Sequence, residues 1–217
     1  MTKYILFDLD GTLTDPEEGI TKSLQYALRH MGIEVEDLST LRRHIGPPLK
    51  EGLMEFWGLD EEKTEEAIYW YREYFSKTGM YQNVVYPGVE KVLETLIAEG
   101  KKLILATSKA EKYAILIMEH FGLHKYFTDM CGASLDGIRG KKGDVVHYAL
   151  EKNQITNKDQ VVMVGDRLHD IAGAKENGIK SVGVLYGFGD REELELAGAD
   201  KIAENMDELV QVLIAEL

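Results

Sequence analysis

Residues 4–15 read YILFDLDGTLTD, and this stretch decides the fold expected for the chain. The apolar run Tyr4–Phe7 is typical of a buried β-strand, and the carboxylates of Asp8 and Asp10 follow it directly. Residues two apart on a strand share a side, so these like charges would repel each other. Gly11 allows the backbone to turn sharply after them. We therefore expect another part of the chain to supply positive charge beside the two aspartates.

The composition limits the classes of function. The chain has 217 residues, with 38 acidic side chains against 25 basic ones and a net charge of −13. This charge disfavours nucleic acid and anionic membrane surfaces as partners, and no apolar run approaches membrane-spanning length. The single cysteine fits a reducing compartment, and a strand that starts at Tyr4 leaves no room for a secretory leader. We predict a cytoplasmic protein, and a monomer because the acidic helical surface suggests no large apolar patch.

From about Pro87 onward, helical patterns alternate with short β-rich runs. This alternation is typical of a parallel sheet with helices on both faces. The predicted strands are KLILAT (102–107), YFTDMCGAS (126–134), QVVMVGD (160–166), SVGVLYG (181–187) and residues 200–203. The predicted helices are VEKVLETLIAEG (89–100), KAEKYAILIMEHFG (109–122), GDVVHYALEKN (143–153), LHDIAGAKENG (168–178) and residues 206–217.

The region between the first strand and this alternating part has a different character. Residues 17–31 and 61–77 repeat apolar side chains at helical spacing, and Pro47-Pro48 marks the start of a further helix. We predict a Rossmann-like, three-layer α/β/α core at residues 1–14 and 83–217. An all-helical domain, residues 15–82, is inserted after its first strand.

Four of the predicted strand ends carry polar residues suited to a phosphoryl group. Ligands of parallel sheets bind beyond the carboxyl ends of the strands. The residues are Asp8, Asp10 and Gly11 after the first strand, Thr107-Ser108, Lys141-Lys142, and Asp166 with Asp170. A helix starting at Lys109 would add backbone N–H groups beside Ser108. Carboxylate oxygens favour a hard cation such as Mg²⁺, which together with a lysine would offset the repulsion and bind the phosphoryl group.

In these four segments, taken in order, the chain resembles the haloacid dehalogenase superfamily of Mg²⁺-dependent phosphotransferases. The matching motifs are DLDGTLTD, the apolar run ending at Thr107, a lysine at the third strand–helix junction and VVMVGDRLHD. The resemblance implies that Asp8 is the nucleophile that forms an aspartyl-phosphate, and that Asp10 acts as general acid and then base. It also implies that Asp166 binds Mg²⁺ with Asp8 and the backbone carbonyl of Asp10, while Asp170 supports the metal.

The lysine of the third motif has two candidates. Many relatives place it before a proline, which KKGDVVHYAL lacks, so spacing alone allows both Lys141 and Lys142. We choose Lys142 because Gly143-Asp144 then starts the helix directly after it. The resemblance implies that this lysine is catalytic and binds the phosphoryl group with three further residues, Thr107, Ser108 and Gly11.

The resemblance identifies the helical insertion, residues 15–82, as a C1-type cap that closes over the substrate. Its segment LRRHIGPPLK places Arg43, His44 and Gly46 near a loop that faces the active site in the family. We expect these residues to contact the substrate. A solvated basic cluster is an equally weighted alternative.

The resemblance implies a phosphatase that hydrolyses a small phosphorylated metabolite, such as phosphoglycolate, a nucleotide or a sugar phosphate. A β-phosphoglucomutase is the main alternative, but those enzymes carry a histidine where this chain has Ile20. Dehalogenases of the superfamily lack the second aspartate, Asp10. A non-catalytic protein that binds phosphorylated ligands is expected to have lost the nucleophile, and Asp8 is present. Gly187 and Gly189 in GFGDRE lack the third glycine of a dinucleotide-binding fingerprint.

Overall fold

The computed structural model describes residues 2–216 of the chain. Its strands are β1 (Tyr4–Phe7), β2 (Thr14–Asp15), β3 (Val84–Val85), β4 (Lys102–Ala110), β5 (Asp129–Ala133), β6 (Val161–Gly165), β7 (Lys180–Val184) and β8 (Lys201–Ala203). Within the described residues, six of these strands form one parallel sheet in the order β5-β4-β1-β6-β7-β8, and β2 pairs with β3. The α/β fold with a parallel sheet that we predicted is therefore confirmed.

Helices connect these strands and fill the insertion after β1. They are α1 (Glu17–His30), α2 (Leu49–Trp57), α3 (Glu61–Phe75), α4 (Val89–Ala98), α5 (Glu111–His120), α6 (Lys142–Lys152), α7 (Leu168–Glu176), α8 (Arg191–Ala197) and α9 (Met206–Gln211). Glycines with positive φ follow α4, α5 and α7, at Gly100, Gly122 and Gly178, as expected where the chain leaves a helix. In the part of the chain that the structure describes, no helix is both long and apolar enough to cross a membrane.

Strand β1 is central because its side chains are apolar on both faces, as is typical of a covered parallel sheet. Leu6 packs in one core cluster with Ile104 of β4, Met163 of β6 and residues of α6. The flanking Ile5 and Phe7 alternate to the opposite face and are 0% and 1% exposed. Phe7 is in register with Leu105 of β4 and Val164 of β6. This register brings the segments that follow β1, β4 and β6 to the same edge of the sheet.

Strand β4 is longer than its sequence pattern predicts. We expected the strand to end at Thr107 and a helix to start at Lys109, but β4 continues to Ala110 and α5 begins at Glu111. Ala110 pairs with Ala133 of β5 after a register shift, and this pairing keeps residues with good helix propensity extended. The predicted helix start at Lys109, with its N–H groups beside Ser108, is therefore wrong.

The C-terminal helix is shorter than predicted. Residues 206–217 have a helical pattern, but α9 ends at Gln211 and a π-helical turn, Val212–Glu216, follows it. Leu217, the last residue of the predicted helix, lies outside the described residues. The apolar side chains of this segment still face the core, since Val212 and Leu213 are 4% and 0% exposed.

The chain divides into two compact units, of which one is Pro16–Val84 and the other holds the strands of the large sheet. In the helical unit, α1 and α3 pack against each other and α2 packs on α3. Leu24 and Leu28 of α1 are fully buried, and Ile68 and Phe75 of α3 are almost so. The assignment of residues 15–82 as a cap domain stays a prediction.

Candidate active site

Asp8 follows β1 directly and lies beside a buried lysine. Its backbone N–H donates to the carbonyl of Val164 at 2.9 Å, which extends the β1–β6 pairing by one residue. The Nζ atom of Lys142 lies 2.8 Å from Asp8 Oδ1 and 2.7 Å from Asp170 Oδ1. It also donates to the carbonyl of Ala106 at 3.1 Å. Lys142 therefore supplies the positive charge that the sequence of the first motif requires.

The structure separates the two lysine candidates of the third motif. Lys142 is 4% exposed in the first turn of α6, whereas the side chain of Lys141, which precedes this helix, is exposed. Burial alone would lower the pKa of Lys142, but the carboxylates of Asp170 and Asp8 outweigh that effect and raise it above its ordinary value. Lys142 is thus a permanent ammonium group held between two carboxylates.

Three buried aspartates gather at the carboxyl edge of the sheet. Asp8, Asp166 and Asp170 each present one carboxylate oxygen, and these oxygens all lie within 4.8 Å of one another. Asp166 follows β6, and Asp170 lies in the first turn of α7, where its Oδ2 accepts the N–H of Arg167 at 3.1 Å. The three side chains are almost completely inaccessible to solvent. The sequence placed all three in the metal site, and the fold brings them together.

The electrostatics of this cluster call for another positive charge. Burial raises the pKa of Asp166 well above its ordinary value, and the nearby Asp170 and Asp8 raise it further. Burial also raises the pKa of Asp170 to about 6, although Lys142 opposes this shift. A divalent cation would favour the charged carboxylates, and three carboxylate oxygens are ligands that hard divalent cations prefer. The residues present therefore fit a divalent metal ion.

Asp10 lies beside a lysine that the sequence analysis missed. Asp10 Oδ2 is 2.8 Å from Lys109 Nζ, and the two side chains are only 12% and 7% exposed. Burial raises the pKa of Asp10, while Lys109 lowers it and Asp8 raises it again. The Asp10 carboxylate is not a member of the three-aspartate cluster among the described residues. Its role in metal binding, through the backbone carbonyl, stays a prediction.

The predicted phosphate-binding hydroxyls lie at the end of β4. Thr107 is 1% exposed, and its Oγ1 accepts the backbone N–H of Lys109 at 3.2 Å. Ser108 Oγ and Asp10 Oδ1 are buried atoms that find no hydrogen-bond partner within residues 2–216. Buried polar atoms are normally paired, so these two atoms fit a site that binds a polar ligand.

Gly11 has a conformation and a position that favour glycine. Its φ is +83°, and a Cβ atom there would collide with the carboxylate of Asp166. Its N–H donates to the carbonyl of Thr14 at 2.7 Å, which closes the turn after β1. Gly11 therefore lets the first-motif turn approach Asp166 closely. Its contact with a phosphoryl group stays a prediction.

The three candidate substrate residues of the insertion have different environments within the helical unit. His44 is 5% exposed, and its Nε2 accepts a hydrogen bond from Trp57 Nε1 at 3.0 Å. Burial, with a smaller effect of Arg43, lowers the pKa of His44 to about 4, so the ring is neutral at pH 7. The exposed guanidinium of Arg43 lies 4.6 Å from the ring centroid of Phe56, and Gly46 has φ +106°. Substrate contact by these residues stays a prediction.

A parallel α/β core with buried aspartates and a shared lysine at its carboxyl edge defines a class of phosphoryl-transfer enzyme. The family profile described as haloacid dehalogenase-like hydrolase matches residues 5–184. The chain belongs to this family. Its helical insertion follows β1, the position of a C1-type cap.

Curated relatives cover almost the whole chain. It is 43% identical over 209 residues to a 5′-nucleotidase of Pseudomonas aeruginosa, with 96% of this chain and 94% of that protein covered. It is 40% identical over 213 residues to tyrosine-protein kinase PtkA of Mycobacterium tuberculosis, covering 97% and 72%. It is also 29% identical over 221 residues to a phosphoglycolate phosphatase of Vibrio parahaemolyticus, covering 97% and 96%.

A solved structure has the same fold over nearly every residue. The crystal structure of a predicted phosphatase from Clostridium acetobutylicum matches with a TM-score of 0.96 and 48% sequence identity, and 99% of each chain is covered. The family match and the named phosphatase relatives together show that this chain is a phosphomonoester hydrolase that acts on a phosphorylated small molecule.

Proposed function

We propose that the protein is a Mg²⁺-dependent phosphatase that acts through an aspartyl-phosphate on Asp8, and that nucleoside 5′-monophosphates are its preferred substrates. The observation that carries the proposal is the position of Asp8, 2.8 Å from Lys142 and within 4.8 Å of the Asp166 and Asp170 oxygens. The 43% identical relative named 5′-nucleotidase supports the substrate class. Phosphoglycolate, named for a relative at 29% identity, is the second candidate substrate.

In the first step, the Asp8 carboxylate attacks phosphorus and the ester oxygen leaves with a proton from Asp10. Burial raises the pKa of Asp10, which helps its carboxyl group carry that proton. The hydroxyls of Thr107 and Ser108 donate to oxygens of the phosphoryl group, and the positive charge of Lys142 offsets the negative charge of these oxygens. A bound Mg²⁺, held by Asp8 and Asp166 with the Asp10 carbonyl and supported by Asp170, would offset the negative charge of the nucleophile and the phosphoryl group.

In the second step, water hydrolyses the aspartyl-phosphate. The Asp10 carboxylate accepts a proton from the attacking water, the bond between phosphorus and Asp8 breaks, and inorganic phosphate leaves. Both carboxyl groups then return to their starting states. Asp10, whose Oδ2 lies 2.8 Å from Lys109 Nζ, thus transfers a proton in both half-reactions.

Phosphate release from an aryl phosphate whose aryl group carries no charged substituent tests the chemistry. Wild type should turn over with Mg²⁺ and not with a chelator, and Asp8→Asn should be inactive in both conditions. Asp144→Asn, the same change at an exposed position of α6, controls for general effects of the substitution. Turnover by Asp8→Asn, or turnover in chelator, would contradict the proposal.

A substrate panel tests the preference. Nucleoside 5′-monophosphates should have a kcat/KM at least about tenfold above those of phosphoglycolate and a sugar phosphate, because a cognate leaving group adds transition-state contacts. A higher value for phosphoglycolate would replace the nucleotide assignment. Transfer of the phosphoryl group to a sugar or tyrosine hydroxyl, rather than to water, would contradict hydrolysis as the main reaction.

The role of the insertion can be tested at Arg43. Its exposed guanidinium could pair with an anionic group on the leaving group of the substrate. Arg43→Ala should therefore raise KM for substrates with anionic leaving groups and leave KM unchanged for the aryl phosphate, whose aryl group is uncharged. Arg42→Ala is the matched control, because the Arg42 guanidinium pairs with Glu17 at 2.6 Å. Equal effects of Arg43→Ala on both kinds of substrate would exclude a specific contact.

A further inference from the structure

We infer that the loop of residues 186–189, YGFG, positions the carboxylate of Asp166 for cation binding. The inference rests on the proposed metal site and assigns a role to the GFG sequence, which is no dinucleotide fingerprint. The loop follows β7 and leads into α8. Three independent features of its geometry support this role.

The first feature is a pair of hydrogen bonds, one to each oxygen of Asp166. The backbone N–H of Phe188 donates to Asp166 Oδ2 at 2.8 Å. The hydroxyl of Thr12 donates to Asp166 Oδ1 at 3.4 Å. A donor at each oxygen restricts rotation of the carboxylate group, and such outer contacts orient the ligands of metal sites.

The second feature is the close approach of the loop backbone to Asp166. A Cβ atom at Gly187 would collide with the carbonyl of Gly11 and the side chain of Asp166. A Cβ atom at Gly189 would collide with the backbone carbonyl of Asp166. Only glycine gives the backbone this access, so both glycines of GFG are required for the loop to surround Asp166 and to place the Phe188 N–H.

The third feature is that the loop is held at both ends. At its start, the Tyr186 hydroxyl donates to the carbonyl of Thr12 at 3.2 Å. At its end, Asp190 accepts the backbone N–H of Glu193 at 2.8 Å. Glu193 in turn accepts the backbone N–H of Leu168 and the Nε of Arg167, each at 2.8 Å.

These contacts form a closed path around Asp166. It runs from Asp166 through Arg167 to Glu193 of α8, and back along the loop to the Phe188 N–H. Its other anchor, the Tyr186 hydroxyl, contacts the turn after β1 that carries Asp8 and Asp10. The loop therefore fixes Asp166 relative to the other proposed metal-binding groups, and residues 186–189 are positioning residues.

Mg²⁺ affinity, measured by calorimetry on the full chain, tests the role without any turnover. Phe188→Pro removes the N–H that bonds to Asp166, whereas Phe188→Ala removes the side chain and keeps that N–H. We expect Phe188→Pro to bind Mg²⁺ at least about tenfold more weakly than Phe188→Ala, the scale of outer-contact losses in metal sites. Equal affinities would overturn the inference.

A second variant keeps the test decisive if Phe188→Pro does not fold, as judged by cooperative unfolding in chelator. Tyr186→Phe removes the hydroxyl that contacts Thr12 and should weaken Mg²⁺ binding by at least about threefold. Tyr69→Phe is the matched control, because it makes the same change at a position that is 62% exposed in the helical unit. Equal Mg²⁺ affinities of these two variants would overturn the loop's role alone. A wild type that binds no Mg²⁺ would overturn both the inference and the proposed metal dependence.

Discussion

Replacing Lys142 with methionine is the sharpest test of the charge balance in the aspartate cluster. Methionine keeps much of the apolar stem and removes the ammonium, which lies 2.8 Å from Asp8 and 2.7 Å from Asp170. At an effective dielectric constant near 20, each contact contributes about 6 kcal/mol of Coulombic attraction before desolvation. The cost of burying the lysine offsets most of this attraction. Removing one partner of a buried ion pair typically costs about 3–5 kcal/mol, and we expect a loss of that size in the metal-free protein.

Urea unfolding at pH 7.5 in chelator, followed by far-UV circular dichroism, measures this loss. Lys141→Met is the matched control, because it makes the same change one residue earlier at an exposed position; its effect should stay within about 0.5 kcal/mol. Adding Asp170→Asn to Lys142→Met should recover part of the loss, since it removes one uncompensated buried charge.

The reasoning would be refuted if Lys142→Met lost less than about 1 kcal/mol, or no more than Lys141→Met, since a buried ammonium shared by two carboxylates cannot be so weakly coupled. The same pair of variants also reports on function. Phosphate release should fall at least about 100-fold in Lys142→Met and remain close to wild type in Lys141→Met.

Three further outcomes follow from the geometry. Burial lowers the folded-state pKa of His44 to about 4 from an ordinary 6.5, so between these pH values the unfolded chain binds more protons than the folded one. The free energy of unfolding should therefore fall by roughly 2 kcal/mol as pH drops through this window. Urea unfolding at pH 7 and pH 4.5 should show that His44→Gln removes this contribution. Gly11→Ala should cost more unfolding free energy than Gly32→Ala, by about 2 kcal/mol, because both have positive φ but only Gly11 would also collide with Asp166; equal losses would contradict that close approach. Lys109→Met removes the ammonium beside Asp10 and should lower kcat for the aryl phosphate at least about tenfold, with part of the rate retained in Lys109→Arg. An unchanged kcat would show that Lys109 has no role in catalysis.

The parallel sheet and the meeting of its strand ends could be predicted from the sequence for a physical reason. Apolar runs bounded by glycines specify buried strands, and parallel pairing places their carboxyl ends at one edge. Asp8, Asp166 and Asp170 could therefore be placed in one site although they are far apart in the chain. Lys142 could be preferred over Lys141 because the sequence predicts a helix start directly after it, although α6 begins one residue earlier, at Lys142 itself.

Other parts of the site carry no such local signal. The helical pattern of residues 109–122 predicts that Lys109 lies in a helix, whereas the pairing of Ala110 with Ala133 keeps it on the strand, beside Asp10. The contact of Phe188 with Asp166 is made by a backbone N–H, which every residue except proline has. His44 lies in a polar stretch of sequence, and only the packing of the helical unit shows that it is buried against Trp57.

Both tryptophans of the chain, Trp57 and Trp70, lie in the helical unit. Each indole has a histidine ring stacked beside it. His44 stacks with Trp57, and the ring centroids of His30 and Trp70 lie 4.0 Å apart. Intrinsic tryptophan emission therefore comes from Pro16–Val84 alone. A protonated imidazole quenches the fluorescence of a neighbouring indole. Tryptophan emission measured as a function of pH therefore follows the protonation of the adjacent histidine. Burial lowers the pKa of His44 to about 4, so the emission of Trp57 should respond to this ring only in acidic solution.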